Sequence, residues 1–307
     1  MSSRSFRLEP GEPIPDGIRR VARGRIDHAV DELRGETDST REEAVHEARK
    51  DMKKLRALLR LVRGELGDEV YRSENACFRD TARQLAGMRD ADVMLTTLGD
   101  LEERYGDLPG DAPRLRPVLL AHRFRTSALS PNLGAAVATL TNARERVEDW
   151  PLESDGFEAF EEGLRRIYRQ GRRDYRAARE LPSAEHMHEW RKRVKDLWYH
   201  ASLLRDVTWK PVMSALADEA HELSERLGDD HDLAVLREWA HEHAGALNGA
   251  QAMLRGFDVI VESRRAELQE EAFAYGERLY ADKPGAFVGR VAGWWEASRR
   301  ATPMTSG

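Results

Sequence analysis

Apolar residues recur along this chain at intervals of three and four, the period of an amphipathic helix, wherever proline and glycine do not interrupt. Ile18, Ala22, Ile26, Ala29 and Leu33 keep that spacing in a helix predicted over Gly17–Leu33, with Arg20 and Arg23 turned away from the stripe. Val45, Ala48, Met52, Leu55, Leu59 and Val62 form a second stripe, and Met187, Trp190, Val194, Leu197, Ala201 and Leu204 a third. Further helices are expected from about Asp68 to Leu85, over roughly 114–149, and at about 285–300 near the C-terminus. Strands are not expected, because no run of β-branched residues alternates with polar ones between turn signals. Three prolines and a glycine within residues 1–16 predict an extended arm, and Trp150-Pro151 to Gly156 a junction.

The stretches repeat. Val45-His46-Glu47-Ala48-Arg49-Lys50-Asp51-Met52-Lys53 returns as Met187-His188-Glu189-Trp190-Arg191-Lys192-Arg193-Val194-Lys195, 142 residues on and without a gap. Gly17-Ile18-Arg19-Arg20 returns as Gly163-Leu164-Arg165-Arg166 at an offset of 146, which a shorter second-half turn around Leu181-Pro182-Ser183 explains. Leu85-Ala86-Gly87 and Leu227-Gly228 match at 142, as do His122-Arg123 and Arg264-Arg265. Segments matching in order indicate internal duplication. The expected fold is all-α: an internally duplicated pair of antiparallel four-helix bundles with pseudo-twofold symmetry. Residues 1–16 would be the arm, 17–150 the first repeat and 157–302 the second. The glycines at 87 and 228 read as breaks, with Asp90 and Asp232 capping the helical run that resumes.

On the basic helices, His46, Arg49, Lys50, Lys53 and Arg60 fall within an arc of about 100°. Composition sharpens this pattern. The net charge is −6, so attraction to a polyanion must come from local concentration of cations. The chain has seven lysines, and five of them (Lys50, Lys53, Lys54, Lys192, Lys195) lie in the two repeated stretches. Crowded cations repel unless an anion neutralises them, and arginine forks and lysine point charges both suit phosphate. The candidate phosphate-binding set is therefore His46, Arg49, Lys50, Lys53, Arg60, His188, Arg191, Lys192 and Lys195. Arg20, Arg23, Arg89 and Arg123 could extend it, with their partners Arg166, Arg169, His231 and Arg265.

Other chemistries find less support. Asp90 and Asp232 could hold Mg²⁺ in a phosphohydrolase acting on polyphosphate or nucleotides, yet phosphoryl chemistry wants several convergent carboxylates, or a nucleophile with its base. His186/His188 and His241/His243 are i, i+2 pairs that point to opposite sides of a helix. No phosphate-cradling glycine loop is present, and no cofactor or metal is expected. Nucleic-acid binding is disfavoured because few aromatics interleave with the cations apart from Trp198 and Tyr199, and a scaffold that docks an acidic protein is the remaining alternative. The single cysteine, Cys77, excludes an intramolecular disulfide. With no apolar leader and no apolar run of membrane length, a soluble cytoplasmic protein is expected.

The repeated His-x-x-Arg-Lys-x-x-Lys at His46 and His188, the breaks at Leu85…Arg89-Asp90 and Leu227-Gly228…His231-Asp232, and the duplication resemble the CHAD family of conserved-histidine α-helical domains over nearly the whole chain. The resemblance implies two four-helix bundles about a pseudo-twofold, a basic central cavity, binding of inorganic polyphosphate and recruitment to polyphosphate granules. Trp198 departs from the family pattern where a further arginine is common, and Tyr199 faces the basic side where the first copy has Ala57. Members are often fused to a triphosphate-tunnel phosphatase domain. None occurs in this sequence, so the resemblance implies binding without hydrolysis.

Overall fold

The computed structural model describes residues 5–86, 90–106, 112–127, 132–244 and 251–301, and these are helical with no strand among them. Eleven α-helices follow in order among these residues: α1 (Ile14–Arg34), α2 (Arg41–Leu61), α3 (Arg63–Gln84), α4 (Asp90–Tyr105), α5 (Ala112–Ser127), α6 (Leu133–Arg146), α7 (Glu158–Glu180), α8 (Ala184–Leu204), α9 (Lys210–Glu242), α10 (Gln251–Leu279) and α11 (Pro284–Ala301). The run expected over 114–149 is thus two helices, α5 and α6.

Local chemistry sets the ends of the two basic helices. Thr40 caps α2 in a reciprocal box: its hydroxyl accepts from the Glu43 N–H at 3.3 Å, and its own N–H donates to Glu43 Oε2 at 2.8 Å. Ser183 caps α8 by accepting from the His186 N–H at 3.2 Å. Before α2, Gly35 closes α1 at φ 74°, a left-handed conformation that glycine adopts without a Cβ clash, and the Glu36 N–H returns to Asp31 O at 2.9 Å.

Both predicted stripes point inward. Val45 is 3% exposed, Ala48, Met52, Leu55, Leu59 and Val62 are fully buried, and the six apolar residues of the α8 stripe are at most 1% exposed. They meet in a main core that gathers α1, α2, α7, α8 and α11 with parts of α3, α6, α9 and α10. A smaller cluster joins α4 and α5 to the second half of α9 and the first half of α10. Each large core side chain contributes roughly 1.5–3 kcal/mol of transfer free energy, so these stripes anchor the helices that carry the cations.

Among the described residues, 5–13 precede α1 without helix, α1 beginning at Ile14 rather than at Gly17, and they are packed rather than free. The Leu8 N–H donates to Leu203 O at 3.0 Å, Leu8 is fully buried, and the Phe6 ring meets Tyr199 edge-on at 6.0 Å. Tyr199 is consequently buried beneath the arm (4% exposed), not presented on the basic side. The junction after Trp150 fastens α1 from the other direction: Asp155 Oδ1 accepts from the Ile14 N–H at 2.7 Å, and Trp150 O from Arg19 Nη2 at 2.8 Å.

The break expected at Leu227-Gly228 is absent. Helix α9 runs unbroken from Lys210 to Glu242, so Asp232 lies inside a helix and is no cap. Gly228 has a different reason: a Cβ there would stand 2.9 Å from Arg191 Nη2. The glycine leaves room for the guanidinium of the neighbouring helix. Its counterpart, Gly87, lies outside the described residues, as does Arg89, and of Asp90 only the backbone is described, as the first residue of α4.

Candidate functional site

Helices α2 and α8 pack against each other and are joined directly. His200 is fully buried on α8 and donates from Nε2 to Ala57 O of α2 at 2.9 Å. Because a carbonyl only accepts, that nitrogen carries the proton, and burial pushes the ring's pKa down to about 4, so it is neutral. A buried carboxylate, Asp196 of α8, accepts from Arg60 of α2 at 2.9 Å and from Arg193 of its own helix at 3.0 Å. These contacts fix the register in which the two cation rows face their surroundings.

On α8 the row forms a connected group. The His188 ring lies 4.6 Å from His231 of α9, and Arg191 passes over Gly228. Lys195 is pushed down to about 8, first by burial, then by Arg191 and also by Lys50 from the other helix, against the pull of Glu225 and Asp232. His231 falls to about 4 through burial and its neighbours His188, Arg191 and Arg265, and His188 falls through burial, Lys192 and Arg191. The depression of Lys195 by Arg191 and Lys50 places cations of both rows within electrostatic reach. Among the described residues, neither Arg191 nor Lys195 makes an ion pair. Lys50 and Lys192 each hold the glutamate three residues back, Glu47 and Glu189, in half-exposed pairs of the kind worth about 0–1 kcal/mol. His46, Arg49 and Lys53 lie on the same helix as Lys50, His46 and Arg49 half-buried and Lys53 exposed.

Other candidates are spread more widely. Arg20 is gripped by Glu12 at 2.6 and 2.9 Å and donates to Arg7 O at 2.9 Å, so it fastens the arm. Arg23 is paired with Glu148, and Arg123 with Asp92. Arg265 is buried against Asp230 at 3.0 Å. Arg169 is exposed on α7. Arg60, expected in the α2 row, turns with Arg166 toward a separate pocket. Trp198 stacks on His221 at 4.2 Å and on Tyr199 at 4.8 Å, so its ring is already in contact with protein rings.

Two cavities flank this framework. One, of about 700 Å³, is lined by Asp92, Asp100, Glu103, Asp229 and Asp232 with Arg104 and Arg264, and is acidic rather than basic. Asp229 is pushed up to about 6 by partial burial and by Glu225 and Asp232. Among the described residues no group of three or more His, Cys, Asp or Glu side chains could hold a metal ion. The other, of about 370 Å³, is lined by six arginines together with Asp174 and Glu189, and repetition between the two halves could not single out Arg56 or Arg193 among them. A signal was present all the same: Arg56, Arg60 and Arg63 follow at four and three residues, one helical face.

Comparison with known proteins agrees with this architecture. A family model described as the CHAD domain matches residues 21–241. A crystal structure of the CHAD domain from the plant Ricinus communis superposes with a TM-score of 0.59 at 15% identity, covering 98% of this chain and 96% of that one. No curated protein matches the chain. No helix among the described residues is long and apolar enough to cross a membrane.

Proposed function

Since this chain belongs to the CHAD domain family, which supports a polyphosphate-related role, we propose that it binds inorganic polyphosphate without hydrolysing it, along the cation rows of α2 and α8. The binding set is His46, Arg49, Lys50 and Lys53 with His188, Arg191, Lys192 and Lys195. One observation carries the reading: Lys195 is half-buried among cations that include Lys50 of the other helix. Such crowding costs stability in the free protein and is relieved by a polyanion, which favours the charged form of Lys195. Each charge-assisted contact contributes about 1.5–3 kcal/mol before screening, and several together give tight, salt-sensitive binding.

His188 acts here as a neutral donor near neutral pH, since burial and neighbouring cations depress it, as they do His231 beside it. Recruitment to polyphosphate granules follows if the chain meets the polymer in that form, and the segments 17–150 and 157–302 would then contribute one row each as duplicated units. Titration with polyphosphate of defined length, in competition with RNA, tests the reading. Displacement of polyphosphate by RNA at equal phosphate concentration contradicts it, as does metal-dependent phosphate release from the polymer. Retention of the polymer under both conditions is expected.

A further inference from the structure

Lys53 and Lys195 close the two rows at equivalent places in the repeat, yet they are held differently. Lys53 is exposed on α2, whereas Lys195 is half-buried on α8. Their surroundings differ in the same sense. Arg56, Arg79 and Arg83 of the first half stand where the second half has Trp198, His221 and Glu225, each 142 residues on. Repetition of charge accounts for the rows and leaves these rings without a role.

Trp198 is itself held by two rings. It stacks on His221 of α9 at 4.2 Å with 12° between the planes, and on Tyr199 at 4.8 Å with 24°. Tyr199 is buried and met edge-on by Phe6 of the N-terminal arm, and His221 lies 3.8 Å from Glu225 one turn along α9. Aromatic pairs at such separations are favourable beyond the area they bury, so α8, α9 and the arm together fix the indole. The Lys195 ammonium lies 5.8 Å from the centre of that indole, within reach of a cation–π contact. No carboxylate pairs with it among the described residues. The charged groups that face it are Arg191 on its own helix, Lys50 from α2, and Glu225 and Asp232 from α9, two of each sign. Opposed charges acting at longer range do not select one rotamer of a four-carbon stem, but a fixed ring in contact does.

On the premise that the rows bind polyphosphate, we propose that Trp198 is a positioning residue for the polymer: its clamped ring holds the Lys195 ammonium in place within the α8 row before the polymer arrives. A free lysine loses rotamer freedom when an anion fixes it, and that cost weakens binding. A lysine already held does not incur the cost again. Trp198 therefore acts through Lys195 and not on the ligand, its own ring being engaged by His221 and Tyr199. The burial to which the indole contributes also keeps Lys195 near 8, so that its charge responds to the bound anion.

Calorimetric titration of the full chain with polyphosphate of defined length, from pH 7 to 9, tests this. The variants are Trp198→Leu and Trp198→Phe, each made in the wild-type chain and in a Lys195→Gln background. Trp198→Leu keeps an apolar side chain and loses the aromatic face. Its affinity at pH 7 falls about three- to tenfold, the change expected when one more lysine has to be ordered on binding. Its profile from pH 7 to 9 flattens, because the released ammonium returns toward the ordinary lysine range. Trp198→Phe keeps an aromatic face and recovers most of the loss. In the Lys195→Gln background neither change lowers affinity further, since the lysine through which the ring acts is gone. Equal losses in both backgrounds overturn the proposal, because a loosened fold or direct contact of the ring with the polymer does not depend on Lys195. Unchanged affinity in Trp198→Leu overturns it as well. The Lys50/Lys53/Lys192/Lys195 quadruple alanine variant separates the two readings. Loss of the polymer there, with full binding in Trp198→Leu, removes the positioning role alone, whereas wild-type affinity in the quadruple variant removes the rows and the positioning role together.

Discussion

His200 illustrates how a single side chain couples the fold to pH. Its folded pKa of about 4 lies below the ordinary histidine value, so the unfolded chain binds a proton that the folded chain refuses. The stabilisation is fully present above about pH 6.5, is lost as pH falls toward 4, and is worth up to about 3 kcal/mol for so buried a ring. His200→Gln keeps a donor for Ala57 O and does not titrate. Denaturant midpoints measured between pH 7 and 4.5 should fall less steeply in that variant, with the remaining slope supplied by His188, His231 and the carboxylates. Lys195 works in the opposite sense on binding. Its pKa near 8 in the free protein means that it loses charge above pH 8, whereas a bound polyanion restores the charge. Polyphosphate affinity should fall about tenfold between pH 7 and 9. Lys195→Gln should bind more weakly at pH 7 and show a flatter profile. A wild-type profile that is flat over the same range contradicts the placement of Lys195 in the site.

At the scale of helices, glycines report where elements touch. A Cβ on Gly163 of α7 would collide with Leu61 O of α2, a contact with backbone that no rotamer change relieves. Gly163→Ala should therefore push α7 off α2 and cost about 1–3 kcal/mol, lowering the thermal midpoint by several degrees. Gly289 of α11 has nothing within 4 Å of an added methyl, and Gly289→Ala should raise the midpoint slightly by helix propensity alone. The same substitution thus has opposite signs at two helical glycines. Sequence period identified the inward stripes of α1, α2 and α8 residue by residue, because burial of a helix face leaves a direct trace at spacings of three and four. It misread Gly228, whose role depends on Arg191 of another helix, and it joined α5 to α6. Close approach between helices leaves no local periodicity to read.

For the whole molecule, the net charge of −6 hides a strong segregation of sign. Carboxylates gather around the cavity between α4, α9 and α10, and arginines around the pocket between α2, α3, α7 and α8. Repetition between halves found the lysine rows, since both copies carry them. It could not find the arginine pocket, where Arg193 stands opposite Asp51 in the repeat and Arg56 opposite Trp198. Differences between the halves, read as closely as their likenesses, would have pointed there. Across the molecule, binding through several cations should weaken steeply with salt, and a log–log plot of affinity against salt should have a slope reflecting several released counterions. The most direct measurement is the affinity of long-chain polyphosphate for wild type and for the folded Lys50/Lys53/Lys192/Lys195 quadruple alanine variant at physiological salt. The two-row account predicts a loss of at least about a hundredfold together with a shallower salt slope, and equal affinities with equal slopes would contradict it.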